Sequence, residues 1–393
     1  MANGVSGETG SMRGRIAGAI ALYTAGGLFW AFLPFFVALQ IGQGGLSAAS
    51  AGLLGTGYLA GFTLSSMAAI WWTRAFDIRA VIGLALLVVI AGFSILGILG
   101  GFALSLACCL LIGCAMAALW VVAYRMIAQS SKADRNFAAA IGISYPALAL
   151  ITFLASHVVV PHAGLAGVLL TIAALVAILG LGGFRVPAKL DISVASGVGA
   201  EGGRFSAGLL ALASLLVVGF AFACIWSFGA RLGADAGFDD RIVGAILSSN
   251  LLLTGIGSLG ATAMGKRFGR LPPILASLIL MGFCMAGLVA HASLTVFALS
   301  ICGLGLAMGV AMPFQLAAIA ADDRNGRLVS LIAAVQGGGT ALAPPLAGWV
   351  LETHGAGAIA LIGLISILIG LVCSILSHLV SIRRTRGLQR RAE

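Results

Sequence analysis

The chain alternates between long apolar runs and short polar segments that hold most of its charge. Three runs in the first half, residues 16–73, 80–124 and 136–184, contain 58, 45 and 49 residues without an Asp, Glu, Lys or Arg. One membrane-spanning helix needs about 20 apolar residues and rarely more than about 25. Each run is too long for one span, so each predicts two.

The second half has the same character, with five charge-free runs at 205–230, 242–265, 271–321, 328–351 and 353–382. The run 271–321 is long enough for two spans, and each of the others fits one. The pattern therefore predicts an all-α membrane protein with twelve transmembrane helices.

Turn-forming residues indicate where the long runs fold back on themselves. Glycine and proline mark four hairpins, which we expect at Gly42–Gly45, Gly97–Gly101, Pro161–Gly164 and Ala290–Ser293. The expected organisation is a cytoplasmic N-terminal tail (1–14), a six-helix bundle (15–184), a cytoplasmic linker (185–205), a second six-helix bundle (206–382) and a basic cytoplasmic tail (383–393).

Composition excludes a water-soluble protein. Hydrophobic residues make up 61% of the chain, charged residues 9%, and the mean hydropathy is +1.13. A soluble domain carries about a quarter charged residues, so the expected environment is a lipid bilayer. The net charge of +10 does not indicate nucleic acid, because the basic residues come in small sets between apolar runs.

The basic residues also predict the orientation. With both termini in the cytoplasm, 20 of the 22 Lys and Arg residues fall on the cytoplasmic side, and only Arg231 and Arg241 lie outside. Cytoplasmic loops are enriched in basic residues, so this orientation is strongly favoured. Lysine is scarce relative to arginine, which is typical of a GC-rich bacterial genome, and we expect a multi-pass protein of the bacterial inner membrane.

The two halves resemble each other. Ala133-Asp134-Arg135-Asn136 opens the fifth predicted span, and Asp322-Asp323-Arg324-Asn325 opens the eleventh. Basic segments follow the second span, at 74–79, and the eighth, at 266–270. Two equivalent halves are the usual construction of a secondary transporter, in which a central site opens to each side in turn.

The arrangement resembles the major facilitator superfamily. That family has six plus six spans and a loop signature that reads roughly Gly-x-x-x-Asp-Arg-x-Gly-Arg-Arg. Arg267, Gly269 and Arg270 match its end, Lys266 departs at the acidic position, and the first copy clearly retains only Arg74. The stretch 324–327 is similar to the family's loop before span eleven. The resemblance implies alternating access, with spans one, four, seven and ten around a central cavity.

Polar and aromatic side chains within the spans are the candidates for substrate binding, because polar groups are costly in a membrane interior. Aromatic rings with a polar group suit an amphipathic, aromatic or anionic solute. Eight residues are predicted to contact the substrate: Tyr23, Trp30, Arg125, Tyr145, Trp226, Asn250, Gln315 and Gln336.

Several of these residues have a second interpretation. Trp226 could belong to the interfacial aromatic belt. Arg125 could extend its guanidinium toward the cytoplasm instead of attracting an anion. Asn250 and Gln336 could bond a neighbouring helix. Tyr145 precedes Pro146, where the fifth span could kink.

The superfamily resemblance also implies a cytoplasmic latch of ion pairs between loops. Most exposed pairs contribute about 0–1 kcal/mol, so several would have to act together. The predicted gating residues are Arg74, Asp77, Arg79, Asp134, Arg135, Lys266, Arg267, Arg270, Asp323 and Arg324.

The driving force of transport is open at this stage. No Asp or Glu lies inside a predicted span, whereas proton coupling commonly uses a membrane carboxylate or histidine. Facilitated diffusion and coupling through Asp239 or Asp240 both stay open, and so does proton-coupled efflux of drugs or metabolites. The family's arginine motif in span four is absent, since Cys109 occupies its position.

Other classes of function fit less well. An integral-membrane enzyme needs nucleophiles, bases or metal ligands clustered at one depth, and the histidines here are scattered. A sensor would need a partner surface such as the basic tail, which anionic lipid explains more simply. The seven cysteines fall in apolar stretches and indicate packing. We expect a monomer with a small-molecule substrate, no cofactor, no bound metal, and protons as one candidate coupling ion.

Overall fold

Most of the residues that the computed structural model describes are helical; the described residues are 3–98, 101–130, 133–185, 205–265, 267–290, 293–322 and 327–392. Within them, the α-helices are α1 Asn3–Gly42, α2 Ala48–Ala75, α3 Ile78–Ile98, α4 Phe102–Ala128, α5 Ala133–Leu154, α6 Val160–Leu181, α7 Phe205–Asp235, α8 Asp240–Met264, α9 Leu271–Val289, α10 Leu294–Asp322, α11 Arg327–His354 and α12 Ala356–Ala392. A π-helical turn, Ala155–Val159, joins α5 to α6, and a 3-10 turn, Gly182–Arg185, follows α6.

The chain divides into two compact units. The N-terminal unit consists of Met1–Gly45 and Leu53–Ile192, and the C-terminal unit consists of Leu46–Gly52 and Ser193–Glu393. The first therefore contains α1, most of α2 and α3–α6, and the second contains α7–α12 and the beginning of α2.

Aspartate side chains define the start of two helices. The Asp77 carboxylate accepts hydrogen bonds from the N–H groups of Arg79 (2.7 Å) and Ala80 (3.2 Å) at the start of α3. Asp239 accepts from the N–H of Arg241 (2.8 Å) at the start of α8. The first N–H groups of a helix have no partner in the helix itself, so such caps fix where it begins.

Nine segments of the described chain are long and apolar enough to cross a membrane, judged by length and composition. They include α3, α4, α7, α8, α9 and α10, and parts of α1 and α12. The segment Asn136–Phe184 covers α5 and α6 together. The helices α2 and α11 are outside this set. The protein is thus a multi-pass membrane protein, and the number twelve remains a prediction.

Glycines let two pairs of helices approach closely. A Cβ atom on Gly61 of α2 would lie 2.0 Å from the backbone oxygen of Leu110 of α4, and one on Gly113 would lie 2.0 Å from that of Tyr58. In the second unit, a Cβ on Gly257 of α8 would lie 2.4 Å from the oxygen of Leu306. Small residues at helix contacts are typical of membrane bundles.

These contacts repeat with a constant offset. Gly61 corresponds to Gly257, and its neighbour Leu110 to Leu306, each 196 residues further along (257 − 61, 306 − 110). Gly113 corresponds to Gly309 by the same offset (309 − 113), and a Cβ on Gly309 would lie 2.2 Å from the oxygen of Thr254. The internal repeat indicated by the sequence therefore extends to the backbone contacts between helices.

Three of the expected hairpins fall between the end of one helix and the start of the next, namely between α1 and α2, between α3 and α4, and between α9 and α10. The fourth, expected at Pro161–Gly164, coincides with a kink inside α6. The helical turns continue through Pro161, and the chain leaves helical geometry at Gly164, with φ 57° and ψ −155°. Glycine accepts this conformation without the steric cost that a side chain brings.

The helix ends correct two sequence interpretations. Arg231, expected in an external loop, lies inside α7, where it forms an ion pair with Asp235 (2.8 Å) one turn later. Asp322, expected to open the eleventh span, is the last residue of α10. Asp235 and Asp322 are therefore the last residues of two long apolar helices, α7 and α10. A charged residue can complete the last turn of such a helix where the helix end meets water.

Candidate functional site

The candidate site begins on one face of α1. Tyr23 and Trp30 are seven residues apart, a spacing that places both on the same side of a helix. Tyr23 is buried and Trp30 is half-buried. Of the predicted site residues, these two therefore share a surface within the N-terminal unit.

Tyr23 is part of an aromatic group that joins α1, α4 and α5. Its ring stacks on Trp120 of α4, with a centroid distance of 4.0 Å and an interplanar angle of 31°. Tyr145 of α5 and Tyr124 of α4 lie within electrostatic range of the Tyr23 hydroxyl. We call Tyr23, Trp120, Tyr124 and Tyr145 the tyrosine cluster.

Glycines and a hydroxyl pair position the cluster. Beside Tyr23, a Cβ on Gly26 would lie 3.0 Å from Cβ of Trp120, so α1 can approach α4 this closely only without a side chain there. Thr24 donates to the carbonyl of Ile20 (2.9 Å), and its oxygen lies 2.7 Å from the hydroxyl of Ser144 on α5. Because the Thr24 proton is already used, Ser144 is the donor in this pair.

The tyrosine cluster combines ring faces with polar groups. Tyr23 is nearly covered, Trp120 and Tyr145 are half-buried, and Tyr124 is exposed on half its surface. Such a surface can stack a planar apolar group and hydrogen-bond a polar one beside it, which suits an aromatic or amphipathic solute.

Arg125 lies one residue after Tyr124, but its side chain is bonded to α2. Its guanidinium donates to the hydroxyl of Thr73 and to the carbonyl of Ala69, the latter at 3.4 Å. The positive charge of Arg74 lies within its electrostatic range. Arg125 therefore holds the end of α2 against α4, and its contact with an anionic substrate stays a prediction.

Trp226 occupies the corresponding position in the C-terminal unit, 196 residues after Trp30 (226 − 30). It is 3% exposed and stacks on Phe222 at 6.1 Å. The neighbouring Ser227 is fully buried, and its hydroxyl has no hydrogen-bond partner among the described residues. Trp226 is thus packed inside the unit, in contrast to the half-buried Trp30.

The three predicted amides of the second unit all involve α10. Asn250 donates to the carbonyl of Ile301 (2.6 Å), so α8 is bonded to α10. The Gln336 amide lies 3.7 Å from the sulfur of Met312. Gln315 itself belongs to α10 and donates to the hydroxyl of Ser214 on α7 (3.2 Å). Each amide links neighbouring helices, and binding of substrate by any of them stays a prediction.

The predicted gating residues lie at helix ends where the structure describes them. Arg74 is in the last turn of α2, Asp77 and Arg79 are at the start of α3, Arg267 follows α8 and Arg270 precedes α9. Asp134 and Arg135 belong to the first turn of α5, and their side chains are outside the described part. Lys266, Asp323 and Arg324 lie outside the described residues. The latch stays a prediction.

Two members of the tyrosine cluster were absent from the sequence-based set. Trp120 and Tyr124 both lie on α4, which the sequence assigned to the cavity wall only by its resemblance to the superfamily. Their four-residue spacing puts them on one face of the helix, a signal that could have identified them.

Comparison with known families gives one match. Residues 210–391 match the family model described as Major Facilitator Superfamily, a range that covers most of α7 and all of α8–α11 and nearly all of α12. No curated protein matches the chain.

Proposed function

Because residues 210–391 match the Major Facilitator Superfamily model, we propose that the chain belongs to that superfamily and is a secondary active or facilitative transporter that works by alternating access. Membrane transport is the function of that superfamily, and this match is the observation that carries the proposal. The repeated glycine contacts of α2–α4 and α8–α10 support it, since alternating access commonly uses two structurally equivalent halves.

The proposed arrangement has twelve spans, with both termini in the cytoplasm of a bacterial cell and the protein acting as a monomer in the inner membrane. The charge asymmetry of the loops supports this orientation. The helices α2 and α11 would complete the set of twelve, because 28 residues each are enough to cross the hydrocarbon core.

The proposed substrate is a small organic solute with an aromatic or amphipathic body. The tyrosine cluster supports this choice, because it offers stacking surfaces and hydroxyl groups but no charged side chain of its own. The structure supports an anionic solute less, because the guanidinium of Arg125, which would attract an anion, is hydrogen-bonded to Thr73 of α2.

The test is uptake by the purified full-length protein in liposomes. A panel of radiolabelled aromatic carboxylates, aromatic amines and polar non-aromatic solutes of similar size is offered with and without a pH gradient. We expect saturable uptake of one of the aromatic classes. If no solute moves under any gradient, the transporter proposal is wrong; if flux ignores the pH gradient, protons are not the coupling ion.

One variant connects the flux to the site. Trp120→Leu should reduce uptake of the aromatic solute by roughly three- to tenfold, because one aromatic contact contributes about 0.5–1.5 kcal/mol. Trp349→Leu, which changes an exposed tryptophan of α11, is the matched control. Equal uptake by wild type and Trp120→Leu, at equal amounts of inserted protein, would remove the tyrosine cluster from the substrate path.

A further inference from the structure

The hydroxyl groups of the tyrosine cluster are not used to hold the protein together. Among the described residues, the hydroxyls of Tyr23, Tyr124 and Tyr145 have no hydrogen-bond partner. The hydroxyls of Tyr23 and Tyr145 are also not enclosed, in contrast to the hydroxyl of Tyr58, the fourth tyrosine of the chain. Tyr124 is exposed on half its surface. All three hydroxyls therefore face space that water or a solute can enter.

The contact between α1 and α4 brings two of these tyrosines to one ring. Tyr23 of α1 stacks on Trp120 of α4, with 4.0 Å between the ring centroids. Tyr124 follows Trp120 by four residues and so lies on the same face of α4. Its ring packs against Phe137 of α5 at 4.8 Å, which fixes the position of the side chain.

The fifth helix brings the third tyrosine to the same place. A Cβ on Gly27 of α1 would lie 3.2 Å from Leu148 of α5 and 3.3 Å from the ring of Trp120, so the three helices meet there. Tyr145 is three residues before Leu148, about one turn of α5, and it lies within electrostatic range of the Tyr23 hydroxyl. Three phenol groups therefore stand beside one tryptophan ring.

These phenol groups determine which polar group a bound solute needs. A phenol is neutral at pH 7 and carries an O–H proton to donate. A solute that enters the cluster displaces the water bonded to these protons, and a solute without an acceptor leaves them unpaired. A site of this kind rejects the analogue that lacks the matching polar group. The polar end of the solute is therefore expected to accept hydrogen bonds.

The charge beside the cluster has the sign that favours an acceptor. Arg125 follows Tyr124, and its guanidinium donates to two neutral groups, the Thr73 hydroxyl and the Ala69 carbonyl. Among the described residues it forms no ion pair, and the positive charge of Arg74 adds to its own. An ammonium group in the cluster would be repelled, whereas the negative end of a carbonyl group would be attracted without touching the guanidinium.

We propose that the tyrosine cluster selects aromatic solutes whose polar end is a carbonyl-type hydrogen-bond acceptor, with the solute ring against Trp120 and the acceptor oxygen bonded by the tyrosine hydroxyls. A carbonyl oxygen has two lone pairs and can accept from two phenols at once. That the selected solute is also the transported one rests on the proposed function. The opposite selection would come from the ring faces, which attract an organic cation.

Selection is tested by binding to the purified full-length protein in detergent. The probes are naphthamide, naphthoate and naphthylmethylammonium, which share one ring system and differ in the polar end. Equilibrium dialysis of the radiolabelled compounds gives the three Kd values. We expect naphthamide to bind about fivefold or more tightly than naphthylmethylammonium, because the amide accepts hydrogen bonds and the ammonium does not. Naphthoate should also bind more tightly than the ammonium, and its rank against naphthamide shows whether the positive charge contributes to an ionised acceptor.

Phenylalanine variants assign the preference to the hydroxyls. Tyr124→Phe and Tyr145→Phe keep the ring and remove the O–H, so each should weaken naphthamide binding by roughly two- to tenfold and leave the ammonium compound unchanged. Trp120→Leu should instead weaken all three probes alike, because each of them loses the ring contact. Tyr58→Phe is the matched control, since Tyr58 is fully buried outside the cluster, and it should bind all three as wild type does.

The ratio of the two affinities separates selection from a structural role, because a loosened fold weakens both probes together. Equal affinity for naphthamide and the ammonium compound, tighter binding of the ammonium compound, or no saturable binding would overturn the proposal. An unchanged ratio in both phenylalanine variants would do the same. Should one variant not fold, the other variant and the wild-type ratio decide. Liposome uptake without preference for acceptors would refute the selection and leave the transporter intact, whereas selective binding without any uptake would refute the transporter alone.

Discussion

Trp30 is the residue whose environment agrees best with a role at a substrate site. It is half-buried on the same face of α1 as Tyr23, whereas its counterpart Trp226 is packed inside its unit. We expect Trp30→Ala to reduce liposome uptake severalfold while the amount of inserted protein is unchanged, because a large contact surface is lost. Trp71→Ala, at an exposed tryptophan of α2, should transport normally. Unchanged uptake by Trp30→Ala would exclude this residue.

Asn250 is expected to act on stability rather than on the substrate. Its amide bonds the carbonyl of Ile301, and Gly305 packs directly against it, so the side chain is enclosed between α8 and α10. Asn250→Ala should lower stability in detergent by about 1 kcal/mol, as expected for an interhelical bond in a membrane protein. The melting temperature measures this, and Ser249→Ala, an exposed neighbour, is the control.

The kinetic consequence separates the two interpretations of Asn250. If it only joins helices, KM for the transported solute stays at the wild-type value in the fraction that folds. A rise in KM with an unchanged melting temperature would instead identify Asn250 as a substrate contact.

Some of the side-chain contacts at the site could be predicted from the sequence and others could not. Tyr23 and Tyr145 were identifiable as polar aromatic residues within apolar runs. Trp120 was not, because its contact with Tyr23 depends on how closely α1 approaches α4, which Gly26 permits. The bond from Arg125 to Thr73 likewise depends on where α2 ends. A contact between two helices depends on how the two are aligned along their axes, whereas the sequence pattern predicts the position of each helix separately.

At the scale of the elements, the glycine contacts make the helix pairs sensitive to a single added methyl group. Gly257→Ala would place a Cβ 2.4 Å from the oxygen of Leu306, so α8 and α10 would have to separate. Overpacking of this kind costs about 1–3 kcal/mol. We expect a lower melting temperature in detergent for this variant.

Gly260→Ala provides a control on the same helix, three residues further on. A Cβ there meets nothing within 4 Å, so the variant should be neutral or slightly stabilised. Equal melting temperatures for the two variants would show that α8 and α10 are not packed through Gly257.

The positions of the helices were largely predictable from the sequence, whereas the residues at which the helices end were not. Charge-free runs give the approximate location of the helices, because membrane spans exclude charge. Asp235 and Asp322 nevertheless lie in the last turns of α7 and α10. A charge marks where a helix can meet water, but the helix continues for as long as its backbone bonds are satisfied. The charge pattern therefore placed Asp322 outside the helix that it ends.

At the scale of the whole molecule, the open question is whether α2 and α11 cross the membrane. Both are long helices that lie outside the nine segments selected by length and apolar composition. Gly42 and Phe76 flank α2, and Asn325 and His354 flank α11. The two residues of a pair lie on opposite sides of the membrane only if the helix between them crosses it. Position 325 lies outside the described residues.

The test introduces single cysteines at these four positions, each in a variant that lacks the seven native cysteines. Labelling of each cysteine with a membrane-impermeant maleimide then shows on which side of the membrane the position lies. We expect Gly42→Cys and His354→Cys to react in intact cells, and Phe76→Cys and Asn325→Cys to react only after permeabilisation. The positive-inside asymmetry fixes this direction, since it places the basic segments after α2 and α10 in the cytoplasm. Reaction of both members of a pair from the same side would show that the helix between them does not span. The reversed pattern would place both termini outside the cell.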